Sequence, residues 1–323
     1  MTGLRTVRGR CLTAGASLLY LIVVLLGTPR SARALVFNIT YDSSTVGAPA
    51  NFFTAFNYTA NFYEGAFSDP VTINLQVGWG LINGQPLNPG NLGQSLTYQQ
   101  GFYTYDQVKT ALVNDAKTPS DAIAVANLPL VYPVSGTNFV MSNAEAKALG
   151  LLAGNATDLD GYVGFKSSGA SYTFDPNNRA VSGEYDFIGL AAHEITEIMG
   201  RYGLGQNGAS SGRFSPIDLF RYSSVGALDT TPANGAYFSI DSGITNINTF
   251  NGTGGGDLSD WLGLTLDPYN AGLTAGKQLS ESPGDMTEMD AIGWDLAIPE
   301  PATFSLVLLG IAPLVLARRR RGK

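Results

Sequence analysis

Phe187-Ile188-Gly189-Leu190-Ala191-Ala192-His193-Glu194-Ile195-Thr196-Glu197-Ile198-Met199-Gly200 is the stretch that decides how this chain is read. Phe187, Leu190, Ala191, Ile195 and Ile198 recur at helical spacing, Asp186 stands where an N-cap belongs, and Gly200 suits the left-handed residue after a last turn. The helix is apolar almost all round, with His193, Glu194 and Glu197 as the exceptions. Burying a charge is costly unless a metal or a partner compensates for it. Residues four apart sit about 40° from each other on a helix, so His193 and Glu197 project from one face and can hold one ion together. Glu194 is displaced by about 100°, which puts it beside such an ion rather than on it. His193 is the sole histidine of 323 residues, so further ligands of a metal here would have to be oxygens.

Outward from this helix, both ends of the chain read as processing signals. Arg5, Arg8 and Arg10 precede an apolar run over residues 18–26, and Ala32-Arg33-Ala34 supplies the small residues that a signal peptidase reads. Residues 1–34 are therefore expected to be a signal peptide cleaved after Ala34, the alternative being an uncleaved anchor with a rather short span. At the other end Pro299-Glu300-Pro301 leads into an apolar segment over 302–317 and then Arg318-Arg319-Arg320-Arg321. Residues 299–323 resemble a PEP-CTERM sorting tail. That resemblance implies a Gram-negative bacterium, export to the outer surface or extracellular matrix, transient membrane anchoring through 302–317, and an exosortase-type processing enzyme. An ordinary tail anchor behind a proline-containing linker is the alternative.

Between these ends, residues 35–298 carry nine basic and 25 acidic side chains, a net charge of −16. So acidic a surface repels phosphate backbones, which excludes nucleic acid as a partner and suits a soluble domain that gathers cations. Cys11 is the sole cysteine and lies in the signal segment, so the mature chain has neither disulfides nor thiolate ligands. The 264 remaining residues suffice for one sizeable domain. Periodicity predicts strands over 36–41, 71–78 and 162–165, and helices over 50–63, 105–117 and 143–152. After the His193 helix the composition turns to glycine, asparagine and serine, with short strands expected over 217–222 and 236–240, a short helix over 285–292, and Trp294 as an aromatic plug.

His193-Glu194-x-x-Glu197-x-x-Gly200 resembles the H-E-x-x-H-x-x-G pattern of metzincin-like zinc metalloproteases at its first, second and eighth positions. The segments AAHEITEIMGR, SPIDLFRYSS and MTEMDAIGWDL also look like those of metalloproteases that carry PEP-CTERM tails. The resemblance implies an α+β, zincin-like domain over 35–298, with a mixed twisted sheet and the active-site helix in an N-terminal lobe (35–203). A glycine-rich irregular lobe (204–298) with the short C-terminal helix would follow. Glu197 and Gly203 depart from the family pattern, standing where it has its second and third histidines. Zinc accepts carboxylate oxygen as well as imidazole, while two oxygen ligands make manganese or calcium competitive.

The third ligand is expected at Asp218, the only acid among the large apolar residues of Ser215-Pro216-Ile217-Asp218-Leu219-Phe220-Arg221-Tyr222. A buried salt bridge from Asp218 to Arg201, Arg213 or Arg221 is the competing reading, and Asp241, Asp257 and Asp260 are weaker ligand candidates. The function that follows is metal-dependent hydrolysis of a protein or peptide substrate, with zinc on His193, Glu197 and Asp218 and with Glu194 as the general base toward water on the ion. The alternative is a non-catalytic surface or matrix protein that keeps the same frame, its carboxylates neutralised by arginines or by structural calcium.

Overall fold

The computed structural model describes residues 35–203, 213–231, 235–252 and 256–297. The expected signal segment, the sorting tail and residues 204–212 of the glycine-rich loop lie outside the described residues. The fold is mixed α+β with several small sheets. Its principal sheet is built from β1 (Val36–Tyr41), β2 (Thr72–Trp79), β3 (Gly93–Thr97) and β4 (Gly161–Phe165) in the spatial order β1-β2-β4-β3. β1, β2 and β4 run parallel, and β3 lies antiparallel against β4 with Ser95 opposite Val163. Ile73, Leu75, Val77 and Val163 are fully buried, as expected for parallel strands covered by helices.

Two helices cover this sheet: α1 (Ala50–Ala66) and α2 (Phe187–Ile198), the helix of the opening motif. Phe52 of α1, Phe165 of β4 and Phe187 of α2 form one aromatic knot, with ring centroids 5.2 Å apart for Phe52–Phe187 and 4.8 Å for Phe165–Phe187. Such rings contribute about 0.5–1.5 kcal/mol per pair beyond the area they bury. Gly161 lets α2 lie close on the sheet, because a Cβ there would meet Ile198 Cδ1 at 2.4 Å. The helix ends in a Schellman motif: Gly200 takes φ +115°, its N–H donates to Glu197 O at 3.1 Å, and Arg201 N–H donates to Thr196 O at 3.0 Å. Asp186 precedes the helix as expected, yet its carboxylate caps nothing. It accepts instead from Arg179 Nε at 3.0 Å and from Leu279 N–H at 2.8 Å.

The remaining elements are smaller. Asn138–Ser142 joins Gln99–Tyr103 and Arg213–Phe214 in a three-stranded sheet, and Arg221–Ser224 centres a second four-stranded one. The strand expected over 217–222 is a 3-10 helix over Pro216–Phe220, and only Arg221 onward pairs as a strand. Near the end, α3 (Pro283–Ala291) is capped by the Ser282 hydroxyl, and Trp294 is fully buried with Nε1 donating to Met199 O at 2.8 Å. One hydrophobic cluster runs from Leu35 through α2 to Trp294, so the two expected lobes share a core. Among the described residues no helix is long and apolar enough to cross a membrane.

Candidate metal centre

α2 presents His193 and Glu197 on one face, four residues apart, and a segment far along the chain returns to lay Asp260 against them. His193 Nε2 lies 3.6 Å from Glu197 Oε1 and 3.7 Å from Asp260 Oδ1. The three residues each place one ligand atom within 4.8 Å of the others. Ligand bonds of about 2.0–2.2 Å in a tetrahedral shell require donor separations of about 3.3–3.6 Å, close to the distances observed. His193 Nδ1 is 2.7 Å from the carbonyl of Pro268, which can only accept, so Nδ1 carries a proton and Nε2 is the nitrogen turned to the carboxylates.

Glu197 is clamped from the other side. Ser95 Oγ of β3 donates to Glu197 Oε2 at 2.5 Å, while Oε1 is buried and accepts no hydrogen bond among the described residues. A buried carboxylate oxygen that accepts no hydrogen bond and lies 3.6 Å from an imidazole nitrogen and 3.9 Å from a guanidinium can be met either by these cations or by a metal ion. Asp260 is held by Arg201, whose Nη1 donates to Oδ1 at 2.6 Å. The guanidinium is itself buried, and its Nη2 stands 3.9 Å from Glu197 Oε1.

The electrostatics follow from this crowding. Burial works against the imidazolium, yet Asp260 and Glu197 raise His193 to about 10. Burial likewise opposes the Glu197 carboxylate, but His193 and Arg201 hold it down at about 2. For Glu194, burial and the charge of Glu197 outweigh His193 and Arg201 and push it well above the usual carboxylate range. Burial and Glu197 also raise Asp257 to about 8. These groups line one cleft of about 710 Å³, together with Gly93 and Ser95 of β3 and Leu273 opposite. Glu194 crosses under the start of β3 so closely that a Cβ on Gly93 would meet Glu194 Oε1 at 2.3 Å.

Of the four site residues read from the sequence, the structure brings three together, His193, Glu194 and Glu197, and places Asp218 elsewhere. Asp218 belongs to the turn that begins the 3-10 helix: its carboxylate accepts from Ser215 N–H at 2.8 Å and from Ser215 Oγ at 3.2 Å. These bonds hold the carboxylate in that turn, and it is not among the acids that gather around His193. Arg201 pairs with Asp260 and Arg221 with Asp229. Asp260, and not Asp218, is the acid that faces His193 and Glu197, and Asp241 serves a turn with Ser239 and Thr245. Ser95 and Pro268 carried no sequence signal as site residues, since each reaches the centre by tertiary contact alone, whereas Arg201, weighed in the sequence as a salt-bridge partner of a buried acid, stands four residues after Glu197 and pairs with Asp260. Comparison of the chain with known protein families, with curated proteins and with solved structures finds no match.

Proposed function

We propose that this protein is a metal-dependent peptide hydrolase of the zincin type, exported and displayed outside the cell, with zinc on His193, Glu197 and Asp260. The observation that carries the reading is the convergence of Glu197 Oε1 and Asp260 Oδ1 at 3.6 and 3.7 Å from His193 Nε2, with one ligand atom of each residue within 4.8 Å of the others, beside a buried Glu194. One nitrogen and two carboxylate oxygens fit zinc, and manganese remains a competing occupant. A dication held there would polarise a carbonyl oxygen, acidify water and favour the ionised form of the neighbouring Glu194.

The chain's own residues supply the rest. Pro268 O fixes the imidazole tautomer, Ser95 fixes the Glu197 rotamer, and Arg201 fixes Asp260. Glu194 accepts a proton from the attacking water and returns it to the leaving amine. A peptide substrate is supported by β3, which forms the edge of the principal sheet along the cleft and can pair with an extended main chain. Export and surface display are supported by the signal-like and sorting-tail sequences and by a core of net charge −16 without cysteine.

Replacing Glu194 by Gln is expected to leave zinc content near one per chain while casein hydrolysis falls about 100-fold or more. Elemental analysis and a labelled-casein assay on the purified core read both quantities. Loss of zinc in that variant would move Glu194 into the coordination shell and overturn its role as base. The non-catalytic alternative has its own support in the 2.6 Å Arg201–Asp260 contact, which neutralises one carboxylate without a metal. A wild-type core that purifies free of zinc, or with calcium, and does not bind added zinc favours that alternative.

A further inference from the structure

Arg201 is fully buried and uses three of its nitrogens on three different groups. Nη1 donates to Asp260 Oδ1 at 2.6 Å, Nε donates to Thr196 Oγ1 at 3.0 Å, and Nη2 donates to the carbonyl of His193 at 3.2 Å. Its guanidinium carbon also stacks 4.5 Å from the centroid of the Tyr269 ring. Burial opposes its charge, but Asp260, Glu197 and Glu288 hold it firmly cationic. The Schellman turn at Gly200 fixes where this side chain starts, since Arg201 N–H closes the turn on Thr196 O.

These contacts join the C-terminal end of α2 to the Asp260 carboxylate, beside the His193–Pro268 contact that ties the helix to the same distant segment. Two candidate ligands stand on the helix, while the third comes from a segment folded back from far along the chain. A planar fork can bind the helix end and the distant carboxylate at the same moment, which a single ammonium cannot. We propose that Arg201 is a positioning residue that docks Asp260 onto α2, making the third ligand part of the helix's rigid frame. The proposal rests on the metal-centre reading above. Arg201 touches neither substrate nor reacting atoms in this scheme, and Arg201→Lys keeps the charge that faces Glu197 Oε1, so what that substitution removes is the hold on Asp260.

That restriction gives the test. Zinc affinity of the purified 35–298 core is measured by chelator competition for wild type, Arg201→Lys, Asp260→Ala and the double variant, with circular dichroism checking that each is folded. Arg201→Lys is expected to weaken zinc binding about 10- to 100-fold, the usual cost of losing an outer-shell partner. The double variant is expected to bind zinc like Asp260→Ala within about threefold, because a residue that acts through Asp260 has no effect once that carboxylate is gone. Losses that add in the double variant, or wild-type affinity in Arg201→Lys, would overturn the positioning role. If the Arg201 variant does not fold, Thr196→Val answers instead, since it removes one anchor of the guanidinium while keeping the charge. A few-fold weaker zinc binding in Thr196→Val, absent on the Asp260→Ala background, supports the proposal, and an unchanged affinity sinks it. A wild-type core that binds no zinc at all would sink the metal-centre reading itself, an outcome distinct from any of these.

Discussion

At the scale of single residues, Glu194 packs against Gly93 with no room for a side chain there. A Cβ at position 93 would lie 2.3 Å from Glu194 Oε1 and 2.9 Å from its Cδ and Cγ, so the side chain would have to swing away. Gly93→Ala is therefore expected to lower casein hydrolysis about 10- to 100-fold while zinc content stays at the wild-type level, since displacing a catalytic group by about 1 Å has an effect of that size. Parallel activity and metal measurements check this, and unchanged turnover would show that Glu194 has room to spare. The pairing of His193 with Glu197 was legible in the sequence because helical spacing alone decides it. The identity of the third carboxylate was not. Asp218 and Asp260 are both acids in largely apolar surroundings, and only the tertiary path of the chain separates the one at a 3-10 helix start from the one facing His193 Nε2.

At the scale of elements, the sequence was clear where apolar periodicity was strong and silent where it was weak. β1, β2, β4, α1, α2 and α3 all lie within a few residues of their expected positions. β3 was missed because Gly-Gln-Ser-Leu-Thr lacks the branched apolar run of a central strand, as befits an edge. The segment after Phe214 was misread as a strand because its apolar residues outweighed the Ser215-Pro216-x-Asp218 helix-start signature, in which serine caps, proline takes the first turn and aspartate reaches back. The packing of α2 on β4 makes a prediction at this scale. A methyl group on Gly161 would meet Ile198 Cδ1 at 2.4 Å and Leu96 O at 2.8 Å, one of them backbone that cannot step aside. Gly161→Ala is expected to destabilise the fold by about 1–3 kcal/mol through overpacking, read as a lowered urea midpoint.

At the scale of the whole molecule, the excess of acid becomes a pH dependence. Asp69 is pushed up to about 8, by burial and by Asp295 and Asp115, from an unfolded value of 3.8. Burial and Asp295 raise Asp115 to about 7, and the ion pair of Lys117 with Asp295 offsets only part of this repulsion. Between about pH 4 and pH 8 the folded chain thus keeps protons that the unfolded chain has released, so this contribution is complete below about pH 4 and is lost as pH rises through 8. Glu197, held at about 2, works in the opposite sense and loses its contribution only as pH falls below about 4.5. The metal-free core is expected to show a lower urea midpoint at pH 8 than at pH 5, with a smaller drop in Asp69→Asn. A midpoint that rises between those values would contradict the assignment. The contact between His193 and Pro268 spans 75 residues, and Asp260 too follows long after the helix. A nascent chain still emerging from the ribosome has α2 but neither of these partners, so the cluster of His193, Glu197 and Asp260, and on the proposed function any hydrolysis with it, is completed only late in synthesis.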